Sequence, residues 1–151
     1  MDFAEFDRLV EPLRERSARM VAAHDFPLIE ARTATDDEIA SAERALGVVL
    51  PARYKAFMVR YGGGQFGFVD LLTVPGRGAD GVDDIVSVSR GEFPDGSFLA
   101  VAPVGTGDYW GFPVTDGRCH DEVWFRFHDA GEPTKEAADF LEFVARRGVR
   151  S

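Results

Sequence analysis

Cysteine is almost missing from this chain: Cys119 is the one cysteine in 151 residues. An internal disulfide is therefore excluded. With no Cys-x-x-Cys or His-x-x-x-His pair, a structural zinc site lacks its ligands, so no metal and no cofactor is expected. A lone thiol fits a reducing compartment. Asparagine is absent, and only Lys55 and Lys135 are lysines, so nearly every base is arginine; this is a coding bias without chemical meaning. No apolar run approaches the ~20 residues that cross a bilayer. The opening MDFAEFDRLVEPLRER carries acids from its second residue and no apolar core, unlike a secretory signal. A cytoplasmic location with no membrane association is the expectation. Positive charge is scarce too: 17 Lys and Arg face 26 Asp and Glu, a net charge of −9. That argues against nucleic acid as partner, because binding phosphates requires a basic surface. An acidic surface favours basic partners and steers their approach, raising on-rates by ~10–10³ at low salt. The same acidity also serves plain solubility.

What is present fits one domain, since a chain of this length buries roughly 68–70% of its unfolded surface. The amino-terminal stretch places Phe3, Phe6, Val10, Leu13, Ser17 and Met20 at helical spacing. Pro12 interrupts it, so the expectation is a helix over 12–22 after a less regular turn, the alternative being a kink. Thr35-x-x-Glu38 is a capping box, and Asp36, Asp37 and Glu38 suit the positive end of a helix dipole. That helix carries an Ile39, Ala42, Leu46 stripe and stops at Gly47. Pro51 suits the start of the next, with Tyr54, Phe57, Met58 and Tyr61 on one side and Gly62-Gly63-Gly64 as its stop. Gln65 to Val74 reads as a strand, and Asp83–Arg90 as either a short helix or another strand.

Phe98 to His128 is the stretch around which the rest packs. Three runs rich in aromatic and β-branched residues, Phe98–Ala102, Asp108–Val114 and Glu122–His128, are separated by Gly105-Thr106-Gly107 and Asp116-Gly117. They predict an antiparallel meander. Thr134 is expected to cap a last helix carrying Ala137, Ala138, Phe140, Leu141 and Val144. Helices, then strands, then a helix make an α+β fold: a single domain with a central antiparallel sheet of four to six strands flanked by helices.

Three patterns invite chemistry. Gly62 to Gly67 matches G-x-G-x-x-G but follows a helix and opens a strand, the reverse of a dinucleotide site. Cys119-His120-Asp121 holds nucleophile, base and orienter as residue types, yet neighbours on an extended segment point apart. Acids crowd the middle of the chain at Asp80, Asp83, Asp84, Glu92 and Asp95, opposed only by Arg77 and Arg90. They form either a solvated loop or the docking rim for a basic protein; no Asp-x-Asp-x-Asp-Gly calcium loop is present. No converging catalytic site is visible, and the chain is not expected to be an enzyme.

Ile39, Glu43, Leu46-Gly47 and Leu50-Pro51 lead to Tyr54, Phe57 and the Gly62-Gly63 stop. Phe98-Leu99, Gly107-Asp108, Tyr109 through Pro113, Glu122-Val123-Trp124 and Phe140-Leu141 follow in order. In this the chain resembles the SUKH superfamily of bacterial immunity proteins and fungal regulators of cell-wall synthesis, from about Thr35 to Ala145. The resemblance implies a SUKH-like domain over 35–151, with residues 1–34 as a helical extension packed on it. It also implies a domain that binds proteins without catalysis, in bacteria typically neutralising a cognate toxin such as a nuclease or deaminase. Its matching residues carry shape: Leu50, Pro51, Tyr54, Phe57, Gly62 and Gly63 at the helix corner, Gly107 and Asp108 at a turn. Gly64 departs from the usual pattern and is expected to lengthen the glycine hinge. The leading expectation is an immunity protein docking on a basic toxin domain; a regulatory module for an endogenous client is the alternative. Asp80, Asp83, Asp84, Glu92, Asp95, Asp121 and Glu122 would steer the approach. Trp110 and Trp124 would anchor it, unless they simply pack in the core.

Overall fold

Thr35 opens its helix as the capping box dictates. The Glu38 N–H donates to Thr35 Oγ1 at 3.1 Å, and the Thr35 N–H to Glu38 Oε1 at 2.9 Å. The resulting α2 (Asp36–Leu46) ends at Gly47, whose φ of +66° is left-handed. The structure is a computed structural model and describes residues 1–75, 83–129 and 131–150. Pro51 is the N-cap of α3 (Ala52–Arg60), and Leu50, Tyr54 and Phe57 are buried beside it. After α3 the chain turns through Gly62 at φ +86°, where any Cβ would run into the Arg32 carbonyl. That contact is needed because Arg32 and Gly63 exchange backbone hydrogen bonds of 3.1 and 2.9 Å. Gly64 does not lengthen a hinge: it is the first residue of β1 (Gly64–Phe66).

Three expectations need correction, and one open alternative is decided. Helix α1 runs unbroken from Phe3 to His24 with Pro12 inside it. Phe6, Val10, Leu13 and Ser17 are buried on both sides of the proline, so tertiary packing outweighs the local defect. Pro12 itself is exposed, and water can serve the carbonyl it leaves unbonded. Gln65–Val74 is not one strand but a hairpin of β1 and β2 (Val69–Leu71), turned at Gly67 with φ +59°. Of the two alternatives for Asp83–Arg90, the helix is found: α4 spans Ile85–Glu92, its first turn capped by Asp84. The last helix does not begin at Thr134. Residues Thr134–Ala137 form β7, and α5 (Phe140–Val144) starts after Asp139, which accepts the Glu142 N–H at 2.9 Å. A π-helical turn, Ala145–Val149, follows.

The predicted meander is present. β3 (Phe98–Pro103), β4 (Tyr109–Thr115), β6 (Val123–Arg126) and β7 lie in that order, all antiparallel, with the short β5 (Arg118–Cys119) pairing with β4. Among the described residues, five helices, this five-stranded sheet and the separate hairpin make one α+β domain. A Leu72 N–H to Val101 carbonyl bond of 2.8 Å ties the end of the hairpin to β3. Strand alternation sorts the side chains. Phe112 and Trp110 face α3 and α5, with ring centroids at 5.5 Å for Tyr54–Phe112, 4.9 Å for Tyr54–Phe140 and 5.4 Å for Trp110–Phe143. Tyr109, Trp124 and Arg126 face the opposite side, where α4 covers only the β3 edge. There Ser89 Oγ accepts the buried Ala100 N–H at 3.1 Å. The remaining outer face, along β6, is the open surface on which a site can be built.

Candidate docking surface

The acids chosen from sequence separate into three groups. Asp83, Glu92 and Asp95 are exposed. Asp84 is 3% exposed and fully used: it accepts the Ser87 N–H at 2.7 Å and the Ser87 hydroxyl at 2.9 Å. It caps α4 and offers no charge for steering, which corrects that expectation. Asp80 lies outside the described residues. Asp95 accepts both the N–H and the hydroxyl of Ser97, at 3.0 and 2.8 Å, and these bonds hold its carboxyl below the usual range.

Two acids missed in the sequence join this region. Burial, and then the charges of Glu30 and Asp83, push the Asp70 carboxyl upward. Burial, and then Glu92 and Asp83, push up the Tyr109 phenol. Glu30 and Asp83 thus lie within electrostatic reach of Asp70, and Asp83 and Glu92 within reach of Tyr109, an electronegative arc in which Asp83 is the shared member. Arg32 tempers its far end through a 3.1 Å pair with Glu30. A signal for Asp70 existed in Val69-Asp70-Leu71, a lone carboxylate between two apolar residues of a strand. Glu30 gave none.

On the open face of β6, Glu122, Trp124 and Arg126 alternate with buried Val123 and form a row. Glu122 accepts from Lys135 Nζ at 2.7 Å, and its carboxyl is held low by Lys135 and by the Trp124 indole. Trp124 is half-buried on this face, opposite Gly111. Asp121 is exposed at the end of the row. Trp110 is not an exposed anchor. It points to the opposite side, covered by Phe125, Phe143 and the Arg147 guanidinium 5.1 Å above its ring. Its indole nitrogen is buried without a partner among the described residues. Being on the core face of the strand fixed that outcome; period-2 alternation with buried Phe112 was the available clue.

Phe93, just after α4, forms a ridge between two clefts. One of about 260 Å³ is lined by Leu46, Val48, Phe98 and Val114 together with Ser89 and Arg90. The other, about 550 Å³, is charged, lined by Glu92, Arg126, His128 and Asp129. Asp108 shapes the second: its Oδ1 accepts the His128 N–H at 2.7 Å and meets His128 Nδ1 at 2.6 Å, while Oδ2 accepts the Thr106 hydroxyl at 2.8 Å. These bonds depress the Asp108 carboxyl and raise the His128 imidazole. Gly107 precedes it at φ +89°.

The remaining patterns assemble no reactive centre. Cys119 is buried, and desolvation followed by the charge of Glu43 pushes its thiol up to about 12. His120 Nε2 is 2.8 Å from Thr115 Oγ1. That partner lies on the neighbouring strand, so thiol and imidazole do not pair. The glycine run opens β1 rather than a helix. Among the described residues no group of three His, Cys, Asp or Glu could hold a metal ion, and no helix is long and apolar enough to cross a membrane.

A model of the family SUKH_6, described as SMI1-KNR4 cell-wall, matches residues 36–144. No curated protein matches the chain.

Proposed function

This chain belongs to the SUKH superfamily, and on that premise we propose that it neutralises a cognate bacterial toxin by docking onto it. The superfamily covers toxin immunity proteins and SMI1-KNR4-like regulators, which are generally binding proteins and not enzymes. The observation that carries the reading is the arc of Glu30, Asp70, Asp83 and Glu92 beside the open row of Glu122, Trp124 and Arg126. The carboxylates of Glu30 and Asp83 lie close enough to Asp70 to disfavour its charged form, a cation relieves that repulsion, and a basic nuclease-type domain supplies such cations. The half-buried Trp124 gives the dock an aromatic anchor. Catalysis needs no residue here; occlusion of the toxin suffices.

The test is co-expression with a toxin gene found beside this one. The native chain should restore growth. A variant carrying Asp70→Lys, Asp83→Lys and Glu92→Lys should not, and its association rate should fall by about tenfold or more at low salt. Full rescue by that variant, or a native association rate that ignores salt, would overturn the reading. A second reading, a regulatory module for an endogenous client, is favoured by the cell-wall description of the matching family. It predicts a stable complex with a host protein in cells that carry no such toxin.

A further inference from the structure

The charged cleft at the Gly107 end of the β4–β6 ladder adds His128, Asp129 and Phe127, which the docking reading does not use, to Glu92 and Arg126, which it does. Its volume, about 550 Å³, lies within the roughly 300–1,000 Å³ of small-molecule sites. Arg126 and His128 line it together with two carboxylates, on a chain that is otherwise strongly acidic. Arg126 is held in place by rings: its guanidinium sits 5.3 Å from the centroid of Phe93 and 5.5 Å from that of Phe98. Its guanidinium donates to Ser97 Oγ at 3.3 Å and pairs directly with no carboxylate among the described residues; Asp95, which accepts from the same Ser97 hydroxyl, is its nearest electrostatic counterweight outside the cleft. His128 is fixed through Nδ1 by Asp108, which is itself 9% exposed and saturated by three bonds. The other ring nitrogen, Nε2, is thereby left for a ligand. Glu92 has no partner among the described residues and stands exposed at the end of α4. Asp129 gives one oxygen to the Gly131 N–H at 3.0 Å and keeps the other. Phe93 and Phe127 supply apolar walls.

A simple anion would meet Arg126 and His128 but be repelled by Glu92 and Asp129, and a simple cation would face the converse. We propose that this cleft binds an α-amino-acid zwitterion: carboxylate to Arg126 and His128, ammonium to Glu92 and Asp129, apolar side chain between Phe93 and Phe127. The same chemistry is offered by a free amino acid and by a short peptide with both ends unblocked. The inference does not require the toxin-docking reading, although Glu92 and Arg126 belong to both surfaces.

The test uses the full chain, isotope-labelled, with amide resonances of residues 92–93, 107 and 126–129 followed during titration. The probes are L-leucine, dileucine, N-acetyl-L-leucine and L-leucinamide. Leucine or dileucine should give saturable shifts at these residues with a millimolar Kd, and each blocked compound should bind about tenfold more weakly or worse. The tighter of the two zwitterions identifies the source. Glu92→Gln, an exposed change whose unchanged remaining spectrum reports an intact fold, should weaken leucine about tenfold and leave N-acetyl-leucine unaffected. Absence of saturable shifts with both zwitterions up to about 10 mM would overturn the proposal. So would N-acetyl-leucine binding as well as leucine, since the acids would then contribute nothing.

Discussion

Tyr54 is fully buried, and its hydroxyl has no hydrogen-bond partner among the described residues. Burial drives its ionisation far above the ordinary tyrosine range, so the group is a neutral, unsatisfied polar atom in the centre of the core. Tyr54→Phe should therefore leave stability unchanged or raise it by up to about 1 kcal/mol, measured by urea denaturation. Phe57→Ala, one helical turn on and packed against Phe6, Phe66 and Phe140, should cost about 3–5 kcal/mol. Glycines divide on the same logic of local surroundings. Gly47 has φ +66° with open space around it, so Gly47→Ala should cost only the left-handed penalty of about 1–2 kcal/mol. Gly62→Ala adds a collision with the Arg32 backbone and should leave little folded protein under the same conditions. The His128–Asp108 pair sets a pH window. The raised imidazole contributes stability below the ordinary histidine range and loses it as pH rises through the raised value. The depressed carboxyl contributes above the ordinary carboxylate range and loses it as pH falls through the lowered value. The pair should thus help most between about pH 4 and 6.5. The stability gap between the native chain and His128→Gln should close as pH is raised to 9.

Elements whose boundaries are set locally could be read from the chain. Thr35-x-x-Glu38 fixed α2, and Asp116-Gly117, both at positive φ, fixed the β4–β5 turn. Elements whose identity depends on a distant partner were misread. Thr134–Ala137 is too short and too charged to announce itself, and it is a strand because β6 offers it an edge. The hairpin tip at Gly67 exists because the Gly148 carbonyl presses against it, and that contact spans most of the chain. Helix α1 is the clearest conflict between local and tertiary terms. Proline in a helix interior costs up to about 3 kcal/mol relative to alanine. Pro12 is exposed, so Pro12→Ala should stabilise the chain by part of that amount and raise its melting temperature without altering contacts. Ser17 on the same helix accepts the Leu28 N–H at 2.8 Å and the Ile29 N–H at 3.3 Å. It pins the link that follows α1, and Ser17→Ala should cost about 1–3 kcal/mol by the same denaturation measurement.

For the molecule as a whole, α1 shares one core with the matched domain. Phe6 meets Phe57 at 5.8 Å, Tyr61 at 5.3 Å and Phe66 at 6.1 Å. A chain lacking residues 1–24 should expose these rings, bind the dye ANS and lose a cooperative melting transition. Part of the candidate surface was legible: exposed Asp83, Glu92 and Asp95 stand where their sequence neighbours are loops and helix ends. The arc was not, because only the fold brings Glu30, in the link after α1, and Asp70, in β2, beside Asp83 and Glu92 at the two ends of α4. Asp84 turns out to be a cap, and of the two roles left open for Trp110 packing is the one found, for a related reason: residue type gives charge or ring, while the cap and the inward strand face decide access. Cys119 sits inside this same assembly, 7% exposed, its N–H bonded to the Val49 carbonyl at 3.0 Å and its thiol resistant to ionisation. Alkylating reagents should therefore ignore it until the sheet edge separates from the helix corner. The speed of its modification in native buffer then becomes a clock for the rarest openings of the protein, readable without introducing any label.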